Sequence, residues 1–192
     1  MLEYFENIDQ QLFLFINALH NPFWDKFMGF VSGKWEWTPL YLVLLFFVIK
    51  SEKKHWWLAI LGIITLIFIT DQTSVHLFKE VFKRYRPCHN MDIKAFIHLV
   101  NNHCGGTYGF VSSHAANSFA LAGFLSFVFK KKQATWLLLF WATIVSYSRI
   151  YLGVHYPADV FFGGLLGFLT SYIVYKVYKK TQPCFIQIQD AI

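Results

Sequence analysis

The sequence predicts an all-α integral membrane bundle of five or six transmembrane helices, forming a single domain over residues 1–192. Three observations lead there. Hydrophobic residues make up 56% of the chain and charged residues 15%, against about 25% charged in ordinary soluble domains. Aromatic residues reach 20%, with seven Trp and ten Tyr, side chains that favour the membrane–water interface. Five apolar stretches, roughly 37–49, 56–76, 109–129, 133–148 and 160–175, divide the chain. A soluble fold of this size would leave much of that surface uncovered, whereas a bilayer covers it.

Taken in order, the elements begin with a segment, 1–34, that is amphipathic or embedded. Ile8, Leu12, Phe13, Phe15 and Ile16 give it an apolar helical face, and Asn21-Pro22 breaks the pattern. It reads either as interfacial helices or as a sixth, weakly hydrophobic span. Its start is acidic and lacks the basic, then apolar, pattern of a cleavable signal peptide. A helix needs about 20 residues to cross the hydrocarbon core. The stretch ending at Phe129 is long enough, and no Asp, Glu, Lys or Arg lies between Cys104 and Phe129. The shorter stretches are extended by Trp, Tyr and Lys at the interface.

The formal charge is +6, but the basic residues form short clusters between apolar stretches. That pattern suits anionic head groups and a phosphorylated substrate, not nucleic acid. Lys50, Lys53 and Lys54, then Lys130, Lys131 and Lys132, then Lys176, Lys179 and Lys180 fall on one face when five spans alternate. The positive-inside rule makes that face cytoplasmic. The loop 79–108 and the short loop 149–157 are then outer. The longer loop is itself basic, and its charges need another purpose.

Three clusters cap the spans on that outer side. The first, Lys79 to Pro87, places Lys79 and Arg86 seven residues apart, close to one helical face, with Pro87 ending the helix. Two cations aimed alike make a phosphate clamp, although Lys and Arg beside a span commonly just snorkel. The second cluster is Val111-Ser112-Ser113-His114. Ser112 or Ser113 suits a helix N-cap, whose free N–H groups and dipole attract an anion. His114 in the first turn can act as general acid. By itself, this cluster reads as an ordinary Ser cap. The third runs from Ser148-Arg149 through His155-Tyr156-Pro157 to Asp159. Pro157 fits the first turn of the last span. Asp159 can then reach back to the His155 ring, fixing its tautomer and leaving the other nitrogen nucleophilic.

Lys-x6-Arg-Pro, then Ser-x-His, then Ser-Arg-x5-His-x3-Asp, in this order, resembles the type 2 phosphatidic acid phosphatase family, in its membrane-bound lipid phosphatase branch. The first and third motifs match throughout. The second departs, because Val111 and Ser113 stand where the family usually has Pro and Gly. The resemblance implies a hydrolase that acts on a lipid phosphate without a metal or other cofactor. His155 would attack phosphorus to give a phosphohistidine, Asp159 would orient it, and His114 would protonate the leaving oxygen. Lys79, Arg86, Ser112, Ser113 and Arg149 would bind the phosphoryl oxygens. Undecaprenyl pyrophosphate leads the substrates the resemblance suggests, followed by phosphatidylglycerol phosphate, phosphatidic acid and lipid A phosphates. A bacterial inner membrane with a periplasmic site is implied, and no protein partner is. The rivals are a non-catalytic lipid-phosphate binding or transport protein and a vanadate-dependent haloperoxidase.

Several further residues stand out. Cys88 and Cys104 share the outer loop, either as a disulfide or as two thiols, while Cys184 falls inside and reduced. Asp71, an acid within a span, either positions the cations or marks the interface. His89, His98 and His103 are too widely spaced for a metal site and read as surface histidines. Gly105 and Gly106 supply backbone freedom beside the site.

Overall fold

The computed structural model describes the backbone of residues 2–189 and the side chains of residues 3–182; the Cys184 expectation lies outside those side chains. Among the described residues the protein is built of helices. They are α1 (Leu2–Asn17), α2 (Pro22–Ser32), α3 (Thr38–Glu52), α4 (Trp56–Gln72), α5 (Ser113–Phe129), α6 (Lys132–Tyr151) and α7 (Pro157–Gln189). Two segments, Thr38–Phe82 and Pro157–Gln182, have the length and apolar composition of membrane spans, and Ser113–Phe129 is a shorter apolar helix.

Thr38–Phe82 is not one rod. The chain turns at Lys53, whose φ is +47°, so α3 and α4 run antiparallel. Tyr41 and Asp71 consequently line one cavity, whereas a straight helix would hold them about 45 Å apart. Beyond Gln72 the helix widens into π-type turns over Thr73–Lys79, takes one last turn, Glu80–Phe82, and stops at Lys83 in the left-handed conformation. The helix therefore ends before Arg86 rather than at Pro87. Lys79 and Arg86 do not share a helical face, and Arg86 stands in extended chain.

The closest contact in the bundle joins α5 to α7, and small residues make it possible. A methyl group added at Gly163 would lie 2.6 Å from the Ser112 carbonyl oxygen. One at Gly167 would collide with the Ala116 carbonyl and lie 2.8 Å from the Ala120 nitrogen. Small residues on facing helices let backbones approach and gain dispersion contact where lipid offers no hydrophobic drive. That approach sets the start of α5 beside the start of α7. A Thr70–Thr170 hydroxyl pair at 2.9 Å adds a hydrogen bond between α4 and α7. Phe124, Leu66, Leu125 and Leu138 fill the core around these contacts.

The lysine clusters follow from this antiparallel order. The ends of α4 and the starts of α5 and α7 meet at one end of the bundle, so the lysines at 50–54, 130–132 and 176–180 lie at the other. There Tyr178 and Gln182 of α7 hydrogen-bond the Glu52 carboxylate, tying the α3–α4 turn to α7. The N-terminal segment forms two helices. α1 meets the opposite, motif-bearing end at two places: Asp9 accepts from the Ala158 amide at 2.9 Å, and the Asn17 amide donates to the carbonyls of Tyr151 and His98.

Candidate active site

His155 is held in the turn between α6 and α7, and its ring is buried. The backbone enters this turn through a loop whose amides at Val154 and His155 both donate to the Arg149 carbonyl. Pro157 opens α7, placing Asp159 in the first helical turn. The Asp159 carboxylate then lies 3.4 Å from His155 Nδ1 and accepts from the Tyr156 amide at 3.0 Å. A hydrogen bond with the Gly109 backbone also holds the ring. Burial, and then the charges of Arg86, Arg149 and Lys79, keep the His155 ring well below the usual imidazole range. The ring is thus neutral at physiological pH, with Nδ1 engaged and Nε2 left with its lone pair.

Asp159 is itself held by a residue that the motif pattern left unmarked. Arg84, inside the first motif, donates from Nη1 to Asp159 Oδ1 at 2.8 Å and from Nη2 to Asp9 Oδ2 at 2.7 Å. Its guanidinium lies 4.2 Å above the Tyr156 ring. A chain of charge-assisted hydrogen bonds therefore runs from Asp9 on α1, through Arg84 and Asp159, to His155. Nothing in the sequence paired Asp9 with Arg84, since they are 75 residues apart and belong to different elements. A half-hidden signal existed: an acid on the otherwise apolar face of α1.

The remaining cations surround the ring. Lys79 Nζ donates to Ser113 Oγ at 2.6 Å, and Ser113 in turn bonds Ser74 at 2.7 Å. Arg86 Nε and Nη1 donate to the carbonyls of Tyr108 and Cys104. Gly105, with φ +82°, passes so close that an added methyl would lie 3.1 Å from Arg86 Nη1. Arg149 Nη1 donates to Ser32 Oγ of α2. Cys88 and Cys104 are joined as a disulfide, which closes the loop beginning just after Arg86 and holds the Cys104 carbonyl that Arg86 bonds. His89 lies beside that pair, but the two sulfurs are bonded to each other and offer no thiolate.

Two polar atoms at the site stand out because they have no partner among the described residues. Ser112 caps α5 with extended backbone, yet its Oγ makes no capping bond and is buried and unpaired. Arg149 Nε is likewise buried and unpaired. Buried polar atoms without partners are costly, and both would be satisfied by an anion. His114, in the first turn of α5, feels the charges of Arg149, Lys34 and Arg86. It also lines a cavity of about 860 Å³ between α3, α4, α5 and α6.

The other marked residues divide. Asp71 faces the same cavity and accepts from Asn117 at 3.3 Å. His89 and His103 are exposed, as expected of surface histidines. His98 departs from that expectation: it bonds Asp25 of α2 at 2.9 Å and stacks on His20 at 3.7 Å. The reason is the Asn17 contact, which draws residue 98 against α1.

The chain matches the model of the PAP2 superfamily over residues 55–183. It is similar to the lipid A 4'-phosphatase of Bacteroides thetaiotaomicron, with 37% identity over 94% of this chain and 81% of that protein. Among solved structures it is similar to Aquifex aeolicus LpxE (TM-score 0.63, 25% identity, covering 87% of this chain and 94% of that one). It also shares its fold with a transmembrane PAP2-type phosphatidylglycerolphosphate phosphatase from Bacillus subtilis (TM-score 0.68, 20% identity, covering 92% and 87%). A buried His–Asp pair ringed by Lys79, Arg86 and Arg149 is what the three motifs demand, and the family match runs through all of them: the chain belongs to the PAP2 superfamily, in its membrane-bound lipid phosphatase branch.

Proposed function

We propose that this phosphatase removes a phosphate monoester from an acylated amino-sugar lipid of the lipid A type, through a phosphohistidine on His155. The observation that carries the site is the pair of buried, unpaired atoms, Ser112 Oγ and Arg149 Nε, beside a neutral, buried imidazole. They are places for phosphoryl oxygens. Lys79, Arg86 and the N-terminus of α5, with the Ser113 amide, complete the binding set, while the Ser112 amide is taken by the Asp159 carbonyl at 2.9 Å.

Phosphoryl transfer needs positioning and charge stabilisation more than elaborate covalent chemistry. The lone pair on His155 Nε2 forms a bond to phosphorus while the bond from phosphorus to the lipid oxygen breaks. His114 gives its proton to that oxygen, and the lipid alcohol leaves. Water then attacks the phosphohistidine, returns a proton to His114 and releases inorganic phosphate with His155 restored. Asp159 holds the ring throughout and balances the charge His155 gains. The three cations stabilise the equatorial oxygens, so the steps run through side chains of this chain alone.

The substrate choice rests on likeness. The 37% identity to a lipid A 4'-phosphatase spans nearly the whole chain, which moves this reading ahead of the undecaprenyl pyrophosphate that the family resemblance suggested. One observation favours a diphosphate as the second reading: Lys34, an exposed cation, stands at the cavity beside His114. As to topology, α3 to α7 are five spans in this reading, and α1 and α2 lie at the outer interface. The lysine-rich end is cytoplasmic by the positive-inside rule, and the site faces the periplasm across an inner membrane.

The test is phosphate release from detergent-purified protein, in excess chelator, with a lipid A-type phosphate and the His155→Ala variant as control. Release by the wild type alone supports the reading. Equal release by the variant, or strict dependence on added metal, contradicts it.

A further inference from the structure

The cavity beside His114 has a polar patch that the catalytic steps do not use. In an in-line displacement the nucleophile and the leaving oxygen lie on opposite sides of phosphorus. His155 does not line the cavity and His114 does. Given the acid role proposed for His114, the cavity lies on the leaving-group side. Its walls are mostly apolar, with Leu44, Ile63 and Leu121 among them. From His114 to Leu125 it follows α5 for about 16 Å, the reach of an acyl chain and not of a bare head group.

At the His114 end this apolar slot turns polar. Asp71, Gln72 and Asn117 all face it. Asn117 Nδ2 donates to Asp71 Oδ1 at 3.3 Å, and Asn117 Oδ1 is buried with no partner among the described residues. An unpaired amide oxygen beside a carboxylate is a pair of acceptors. Such a pair favours a ligand that offers O–H or N–H groups and disfavours a second anion. Two cations are near: Lys79, which acts on Asp71 while donating to Ser113, and Lys34, exposed at the cavity; among the described residues neither forms an ion pair with the Asp71 carboxylate.

We infer that Asp71 and Asn117 select the leaving group: a lipid alcohol carrying a neutral hydroxyl or amide donor next to the phosphate ester, its chain lying along the α5 wall. A polyprenyl diphosphate, whose leaving group is itself a phosphate, is rejected by the Asp71 carboxylate. This deepens the function proposed above and rests on its placement of His114. It also assigns Asp71, whose place in the sequence left two readings open, to substrate selection.

The experiment compares kcat/KM of the wild type, Asn117→Leu, Asn117→Ser and Asp71→Asn on three substrates. These are a monophosphorylated acyl amino-sugar lipid, phosphatidylglycerol phosphate and a polyprenyl diphosphate. Wild type should favour a monophosphate with a hydroxyl or amide neighbour. Asn117→Leu should lower the ratio of monophosphate to diphosphate turnover about tenfold, the effect of one lost hydrogen bond to a bound ligand. Asn117→Ser, which keeps a polar group, should lower it less, and Asp71→Asn should raise diphosphate turnover severalfold. Ratios unchanged in folded variants, or a fall equal on all three substrates, overturn the inference. Wild type that prefers phosphatidylglycerol phosphate, with the Asn117 effect intact, keeps the inference and overturns only the amino-sugar substrate.

Discussion

The two sides of the phosphate site are built differently. On the nucleophile side every charge has a fixed neighbour: Asp9 holds Arg84, Arg84 holds Asp159, and Asp159 holds His155. All are buried or largely so, and the chain draws on α1, the loop after α4 and α7. On the proposed leaving-group side His114 opens on a cavity of about 860 Å³, and Asn117 keeps an acceptor with no partner among the described residues. The difference teaches which part of the reaction is invariant. In the reaction proposed above, the attacking atom is the same for every substrate, so it is worth locking in place; the leaving group varies, so its side is a shaped space with few polar contacts.

His155→Ala should lower phosphate release by about 10⁴-fold or more while leaving the protein folded, since a unit that acts together fails when its nucleophile goes; turnover of purified variant measures it. Gly167→Leu attacks both sides at once, because the α5–α7 contact sets the start of α5 beside the start of α7. Overpacking of this kind should cost about 3 kcal/mol, read as a lower unfolding midpoint in detergent and a loss of activity with every substrate. A normal midpoint would show that the helices part without penalty.

Smaller effects sharpen the account of the nucleophile side. Arg84→Met should reduce kcat roughly 10–100-fold, as removal of a group that orients a catalytic partner does. Asp9→Asn should reduce it by less than that, in kcat and not in KM, because Asp9 acts through Arg84. An Asp9 effect confined to KM would instead mark it as a substrate contact. The smallest effect is on stability. The folded His155 resists protonation, so the unfolded chain binds the extra proton as pH falls below about 6.5, the ordinary imidazole value. Stability should therefore decline below that pH and be recovered above it. His155→Asn should flatten this dependence, and an unchanged slope would show that the ring takes up its proton in the folded protein.

Much of this was legible in the chain because the motifs record local geometry. Pro157 and Asp159 sit on one helical turn, so their relation to His155 follows from spacing alone. The five apolar stretches likewise forecast helices α3 to α7, although only Thr38–Phe82 and Pro157–Gln182 have the length and apolar composition of spans. What the spacing did not show depends on distant segments meeting. Arg84 lies among Lys83 and Arg86, and nothing local marks it as the one that turns inward toward Asp159. Asp9 gains meaning only once α1 is laid against the start of α7. The early stop at Lys83, ahead of Pro87, follows the change to wider turns after Gln72, for which no single residue is the evident breaker. The cavity was invisible for a related reason: its wall is shared by α3, α4, α5 and α6, and no one stretch contains it.

In the proposed reaction His155 carries the phosphoryl group between the two half-reactions. Rapid quenching of the enzyme during turnover, under alkaline conditions that preserve phosphoramidate bonds, followed by mass spectrometry, tests it directly. A phosphate on His155, lost on acid treatment and absent from His155→Ala, is the result expected here. Turnover with no phosphorylated His155, or with phosphate on another residue, would contradict it.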